Sequence, residues 1–422
     1  MKQKRRDFLK NAAGGAGVLA LAGTTACATT IDTKQDDPYG DLFSMVDNIK
    51  PITVEERRQR IEKAQRLMAE NKIEAIYLEA GSSLFYFTGI RWGNSERMMA
   101  AVIPQKGEMS YICPAFEADR LKELIKFGND PKVWEEHESP FKLVADIFRE
   151  NNIRSGNIGM EERVRFFLFD GIRKEAPRLT FVSANPITQG CRVFKTPSEI
   201  ALMQTAMDIT LASYVKTFSM LEEGMTQGEV RNICSQAHAK LGASGGASVQ
   251  FGKYTALPHG SIEPQRLKEG DIVMIDGGCG VDGYRSDITR TTVFGKPTQR
   301  QIDVWEVEKE AQLVAFRAAQ LGEACENVDK AARDYLTSKG FGPDYKYLLH
   351  RTGHGIGLDG HEWVNFVKGN KMPLQVGMCF SNEPMIAIKG EFGIRLEDCL
   401  YMTEDGPKFF TKTSIAIDQP FG

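Results

Sequence analysis

Apolar positions along the chain follow first a helical period and then a mixture of helical and alternating ones. From Thr53 the pattern is helical. Ile61, Ala64, Leu67 and Met68 share one face, and Thr53 with Glu56 forms a capping-box opening, which predicts a helix to about Asn71. Short apolar runs then alternate with further helical stretches. "EAIYLEA" reads as a strand, "MAAVIP" and "MSYICP" as a strand pair joined through "QKGE", and "NIGMEE" and "LTFVSA" as two more strands. Helices are expected near residues 140–151 and 165–175, giving a small α/β unit that ends near residue 190. Thr196-Pro197-Ser198 punctuates the start of a new helical run.

Beyond that point the pattern echoes itself. Gly224, Val230 and Gly242 recur as Gly322, Val328 and Gly340, each displaced by 98 residues, within helix–turn–helix stretches. After each copy come two apolar runs around a glycine-containing turn, the pattern of a hairpin. In "GDIVMIDGGCGVDGYRSDITRTTVF", Asp276 and Asp287 stand on opposite arms with their midpoint at Val281/Asp282. In "GMCFSNEPMIAIKGEFGIRLEDCLYM", Glu383 and Glu397 do the same about Gly390. Opposed residues on one hairpin face have Cβ atoms about 5 Å apart, so each hairpin is expected to carry a close carboxylate pair at its centre.

Acids within apolar strands need relief, because burial is costly and neighbouring carboxylates raise each other's pKa. Arg285, Arg290 and Arg395 are available as counter-ions, and solvent exposure would serve for a single acid. Two matched pairs require the same relief twice. Two divalent cations, which sit roughly 3.5–4 Å apart in dinuclear sites, supply it for all four acids. An imidazole is a natural fifth ligand. Of six histidines, His350, His354 and His361 fall in "HRTGHGIGLDGHEW", and His354 lies between glycines that permit close backbone approach. Four oxygens and one nitrogen suit Mn, Co, Fe or Zn. Cys279 changes face along the strand from Asp276 and reads as a packed thiol, while His137 and His238 lie apart from the acids and read as surface or core residues.

"DGG…GYRSDITRT", "HRTGHGIG…HE", "SNEP" and "GIRLED" resemble the pita-bread-fold metallopeptidases, the family of methionine aminopeptidase, prolidase, aminopeptidase P and the creatinases. The resemblance covers most of residues 53–422 and implies an α+β chain. A pita-bread catalytic domain with an internal pseudo-two-fold duplication, residues 195–422, would follow a smaller α/β creatinase-like domain, residues 53–194. It further implies that Asp276, Asp287, His354, Glu383 and Glu397 bind two divalent ions, manganese foremost, with Asp287 and Glu397 touching both.

By the same resemblance His361 donates to the oxyanion, and His259 and His350 line the pocket and assist proton transfer. A metal-bridged hydroxide would attack the scissile carbonyl, Glu383 would carry its proton to the leaving nitrogen, and Arg395 would orient Glu397 from the same strand face. The N-terminal domain points to the creatinase/prolidase/aminopeptidase P branch. The filled ligand set favours a metallopeptidase cleaving before proline in small peptides, as aminopeptidase or dipeptidase, over the metal-free creatinases.

Relatives acting on small non-peptide substrates, such as ectoine-type amides, share these motifs, and an inactive binding scaffold is the reading from another class. No ligand position is lost, which weighs against the scaffold. "NEPMI" departs from the family in placing Met385 where many relatives carry glycine. Trp363 is a candidate wall for a proline pocket, and Lys368 and Lys371 are candidate cations for a dipeptide's carboxylate. A homodimer is a further implication of the family.

Composition narrows the partners. With 26% charged and 42% hydrophobic residues and a formal charge of −3, the chain is an ordinary globular protein without a polyanion-binding signature, and nucleic acid is not expected. The N-terminus reads as a separate signal. "KRRDFLK" precedes an Ala/Gly-rich stretch, Asn11 to Ala26, too short and too weakly apolar for a permanent membrane span. Arg5 and Arg6 resemble the core of a twin-arginine export signal over residues 1–27, followed by a polar linker over 28–52. "TTAC" marks a cleavage site and a candidate lipid anchor at Cys27, so a periplasmic or envelope-associated protein is expected. Loss of residues 1–26 removes five basic residues and Asp7 and leaves a mature charge near −7. The eight cysteines form no CxxC pair and are expected to be free buried thiols.

Overall fold

The computed structural model describes residues 37–421. The export signal and Cys27 lie outside the described residues. Residues 37–40 form a small turn of their own, closed by the Gly40 N–H donating to the Asp37 carbonyl at 2.9 Å.

The first helix, α1 (Val54–Asn71), opens as its sequence predicts. Thr53 Oγ1 accepts from the Glu56 N–H at 3.1 Å and Glu56 accepts from the Thr53 N–H at 2.8 Å. Ala64 and Met68 are fully buried, with Ile61 and Leu67 packed beside them. Six strands then form one sheet: β1 (Ile73–Glu79), β2 (Ala100–Pro104), β3 (Ser110–Pro114), β4 (Lys132–Trp134), β5 (Gly156–Met160) and β6 (Leu179–Ser183). Their order is β4-β3-β2-β1-β5-β6, with β1 antiparallel to β2 and parallel to β5.

Between them lie α2 (Ser82–Thr88), α3 (Ala118–Leu124), α4 (Pro140–Glu150), α5 (Phe166–Glu175) and α6 (Asn185–Arg192). Central β1 is buried on both faces. Ala75 and Tyr77 share a core cluster with Val144, Ile147 and Phe148 of α4, while Ile76 and Leu78 share one with α1 and α6. That is why "EAIYLEA" reads as a nearly continuous apolar run rather than an alternating one.

The C-terminal part begins with α7 (Pro197–Ser219), opened by a capping box of Thr196 and Glu199 with Pro197 in the first turn. Its two halves repeat one another. Helices α8 (Gln227–Lys240) and α10 (Cys325–Ser338) begin and end 98 residues apart, and α9 (Gln299–Ala318) precedes α10 as α7 precedes α8. Gly224 and Gly322 take the same left-handed turn, with φ of 87° and 84°, which a side chain would strain. Their N–H groups donate to the carbonyls of Leu267 and Leu374, at 2.8 and 2.9 Å.

The first half contributes β7 (Ser244–Phe251), β8 (Ile272–Val281), the short β9 (Tyr284–Arg285) and β10 (Ile288–Val293), with sheet order β10-β8-β7. The second contributes β11 (Gly353–Gly355), β12 (Glu362–Phe366), β13 (Cys379–Asn382), β14 (Met385–Ile388), β15 (Phe392–Arg395), β16 (Asp398–Thr403) and β17 (Gly406–Phe409). Here the order is β12-β11-β13-β16-β17, and β14 pairs with β15 at the hairpin's tip. The two halves meet where Thr289 and Glu397 form an isolated antiparallel bridge.

The second hairpin has the expected register. Met385 pairs with Arg395 and Asn382 with Asp398, so Glu383 and Glu397 stand opposite each other between the two ladders. The first hairpin differs from expectation. Its turn is Asp282-Gly283, both with positive φ, and Asp276 pairs with Thr289 rather than Asp287. Asp287 lies between β9 and β10, so the two aspartates face one another diagonally.

Buried ion pairs tie the two parts together. Glu362 accepts from Lys195 at 3.0 Å and Arg192 at 2.5 Å, and Arg60 lies 3.4 Å from Glu199. No helix among the described residues is long and apolar enough to cross a membrane.

Candidate active site

All four acids of the two hairpins converge on one cavity of about 350 Å³, which is also lined by His259, His350, Arg351, His354, His361 and Arg395. The five candidate metal ligands, together with His259, His350, His361 and Arg395, all line it. Strand β11 delivers His354, and glycines on either side permit it: a Cβ on Gly353 would sit 2.1 Å from the Ser381 carbonyl oxygen, and one on Gly355 2.3 Å from that of Trp363. His354 Nδ1 donates to the Gly355 carbonyl at 3.1 Å, so Nε2 is the nitrogen that faces the acids: protonated it pairs with Glu383, and deprotonated it offers a lone pair to a metal ion. Glu383 Oε1 lies 3.1 Å and Asp287 Oδ2 3.8 Å from that nitrogen.

Donor atoms fall into three overlapping groups, each within 4.8 Å: Asp276, Asp287 and Glu397; His354, Glu383 and Glu397; Asp287, His354 and His361. Electrostatics show the strain of this crowding. Burial, then Asp276, raises Asp287 to about 7, and burial with Asp287, Glu383 and Asp276 holds Glu397 well above the usual carboxylate range. Burial also acts to raise Glu383, but the hydrogen bond and charge of His354 outweigh it and bring Glu383 down to about 2. Acceptors crowded against one another, with an imidazole Nε2 turned toward them that becomes a donor atom once it gives up its proton, fit divalent cations.

Arg395 is the counter-ion of one acid only. Its Nη2 lies 2.6 Å from Asp276, Nη1 donates to the Pro258 carbonyl at 3.1 Å and Nε to Thr289 Oγ1 at 3.1 Å. Arg290 instead pairs with Asp398 at 2.6 Å, behind the site, and Arg285 is exposed. His361 stacks on His354, ring centroids 3.8 Å apart. Burial, with His354 and Arg351 adding to it, pushes His361 down to about 4, so the ring is neutral at ordinary pH. His350 donates from Nδ1 to the Arg351 carbonyl at 2.7 Å, and its buried Nε2 has no hydrogen-bond partner.

Several residues that shape the site have no signal of their own in the sequence. Thr289 Oγ1 is 2.9 Å from Asp276 and 2.7 Å from Glu397. Ser381 Oγ accepts from the His354 N–H at 2.9 Å and donates to Glu383 at 3.1 Å. Asp329 and Arg333 of α10 hold the histidine-rich stretch from behind, through Thr352 and the His350 carbonyl. Adjacency to His350 is the one sequence cue for Arg351, whose Nη2 is 2.9 Å from His361 Nδ1.

The candidates for a pocket wall and for a carboxylate-binding cation lie elsewhere, while the remaining histidines and the cysteines sit as expected. Trp363 donates its indole N–H to Glu162 and packs under Arg192 rather than lining the cavity. Lys368 and Lys371 are exposed, and Lys368 lies 3.8 Å from Asp344. His238 is buried against Ser213 and the Cys234 carbonyl, and His137 is exposed. The seven cysteines among the described residues are free and buried.

A duplicated α/β frame closing on four acids and an imidazole defines a metal-dependent hydrolase. Comparison with known proteins gives the family. Residues 201–404 match the model of metallopeptidase family M24, and residues 60–194 that of the creatinase/prolidase N-terminal domain. An Xaa-Pro dipeptidase from Lactobacillus helveticus is 32% identical over 362 residues, covering 84% of this chain and 96% of the relative. One from Pyrococcus furiosus is 30% identical, covering 84% and 98%. The crystal structure of a prolidase from Thermococcus sibiricus superposes with a TM-score of 0.78 at 29% identity, covering 84% of this chain and 96% of that one. The chain belongs to metallopeptidase family M24 and is a metal-dependent peptidase with the pita-bread fold.

Proposed function

We propose that the protein hydrolyses the peptide bond before proline in short Xaa-Pro peptides, using two divalent ions, manganese foremost, held by Asp276, Asp287, His354, Glu383 and Glu397. The observation that carries this reading is the convergence of those five donors in one cavity of about 350 Å³, at the small end of the range for small-molecule sites. The full-length likeness to Xaa-Pro dipeptidases supports the substrate class.

Two divalent ions held by these five residues would supply Lewis acidity toward the scissile carbonyl and toward water near neutral pH. The chain's own groups do the rest. Glu383 takes the proton of the attacking water and delivers it to the leaving nitrogen. Arg351 donates to His361 Nδ1, which fixes the proton of the neutral ring on Nε2, where it can donate to the carbonyl oxygen as negative charge develops. Arg395 and Thr289 orient Asp276 and Glu397. His350 offers its free Nε2 as an acceptor within the pocket, which His259 also lines.

Hydrolysis assays on Gly-Pro, Ala-Pro and a longer Xaa-Pro peptide, with manganese added, test the reading. Turnover of Xaa-Pro bonds but not of Xaa-Ala controls is expected; equal turnover of both would remove proline from the account. A homodimer, export by the twin-arginine route and acylation of Cys27 belong to the same proposal, and sedimentation and fractionation test them.

A further inference from the structure

The two halves of the catalytic domain repeat their helices but not the chemistry of the buried faces. Helix α8 buries Val230, Ile233, Cys234, Ala237 and His238. Its positions matching Asp329 and Arg333 at the 98-residue displacement are Arg231 and Ser235, both exposed. In α10 the buried stripe extends to Asp329 and Arg333, which are 1% and 9% exposed. They form an i,i+4 pair, with Arg333 Nε 2.9 Å from the Asp329 carboxylate. Neither side chain lines the cavity that holds the four acids.

A buried charged pair is weak evidence of stabilisation, because desolvation offsets much of its attraction. What the pair holds says more. The rest of the guanidinium fork goes to main-chain carbonyls of the segment that leads from α10 to the histidine-rich stretch. Nη1 donates to Asp344 at 2.9 Å and to Leu348 at 3.0 Å, and Nη2 donates to His350 at 2.6 Å. Asp329 completes the clamp two residues further on, accepting from the Thr352 hydroxyl at 2.7 Å and the Thr352 N–H at 3.2 Å. The backbone is thus fixed from α10 on both sides of Arg351. With it goes the ring of His350, whose Nδ1 is tied to the Arg351 carbonyl at 2.7 Å and whose buried Nε2 has no partner among the described residues.

We propose that Asp329 and Arg333 are positioning residues for catalysis: the pair fixes His350 so that its Nε2 meets the substrate, and it acts on turnover through that ring rather than through the metal ligands. This rests on the Xaa-Pro reading for the substrate that His350 meets. The first half has no such pair on α8, so the brace belongs to one copy of the duplicated frame, the copy that carries the histidine-rich stretch.

The test is a double-mutant cycle on the purified, metal-loaded chain. Arg333→Lys keeps a cation beside Asp329 but lacks the planar fork that gathers three carbonyls. Its kcat/KM on Ala-Pro should fall by up to about 100-fold, the scale for a reacting group displaced by about 1 Å, with bound metal unchanged. His350→Ala should fall at least as far, and the double variant no further than His350→Ala alone. Losses that multiply in the double variant, no loss in Arg333→Lys, or loss of metal from it would each overturn the proposal. If Arg333→Lys does not fold, Thr352→Val, which removes only the hydroxyl held by Asp329, takes its place in the cycle with the same outcomes expected. The ring of His350 gives a readout that needs no substrate. In the zinc-loaded chain, isotope-labelled at histidine Cε1, the resonance that His350→Ala removes should move in Arg333→Lys while those of His137 and His238 stay in place. An unmoved His350 resonance overturns the proposal even where no proline peptide is cleaved, an outcome in which the Xaa-Pro reading fails separately.

Discussion

Thr289 and Glu397 join the two halves of the catalytic domain: the Glu397 N–H donates to the Thr289 carbonyl at 3.2 Å, and the Thr289 hydroxyl lies 2.7 Å from the Glu397 carboxylate. That hydroxyl also lies 2.9 Å from Asp276 and accepts from Arg395. One small side chain therefore orients an acid from each half. Thr289→Val keeps its shape and removes the hydroxyl. Metal affinity is expected to fall about 10- to 100-fold, the usual effect of losing such a partner, in a competitive chelator titration. Unchanged affinity would mean that Arg395 alone suffices.

His354, His361 and Glu383 separate by what they do. His354→Ala removes an imidazole donor and should lower bound metal and rate together. His361→Ala should keep its metal and lose about a hundredfold or more in kcat and kcat/KM alike, as for a donor used mainly in the transition state. Glu383→Gln should be slower still, because on the proposed mechanism it impairs a ligand and the proton carrier at once. Metal content and kinetics measured on the same preparations decide. Loss of metal in the His361 variant with retention in the His354 variant would reverse the assignment.

Glu362, next to His361, links the site to the N-terminal domain. Burial acts to raise this carboxyl, but Lys195 and Arg192 overcome it and hold it at about 2. Because the folded value is depressed, the unfolded chain takes up the proton first as pH falls. The stabilisation is complete above the unfolded value of about 4.3 and is lost between there and about 2. Glu362→Gln should cost on the order of 3 kcal/mol at pH 7, since it leaves buried Lys195 without a carboxylate and Arg192 with Asp359 alone, and should flatten the acid limb of stability. Denaturant melts of both proteins from pH 7 to pH 3 measure this; a constant difference between them would remove Glu362 from the pH dependence.

Much of this architecture was legible in the sequence, and the exceptions have physical causes. The Glu383–Glu397 pair was readable because both ladders of its hairpin share one register about Gly390. Asp276 and Asp287 were placed opposite each other because sequence spacing does not show that the turn falls at Asp282-Gly283. Helix α2 has no helical period in the sequence because "SSLFYFT" is aromatic-rich and buried over all but one of its residues. The Arg192–Glu362 pair joins residues 170 apart, and no local pattern announces such a contact. Arg351 was in view beside His350, but its reach across the loop to His361 exists only once that loop is folded.

Export is tested outside the described residues. A reporter fused to residues 1–30 should leave the cytoplasm only with Arg5 and Arg6 intact, and lysine at both positions should retain it. Export indifferent to that change would point to another secretory route.

The most direct test of the dinuclear centre is stepwise loading. The chain stripped with a chelator should show no turnover of Ala-Pro. On titration with manganese, activity should rise and level off as elemental analysis reaches two ions per chain. Full turnover by the stripped protein, or saturation of activity with no metal bound at Asp276, Asp287, His354, Glu383 and Glu397, would contradict the account.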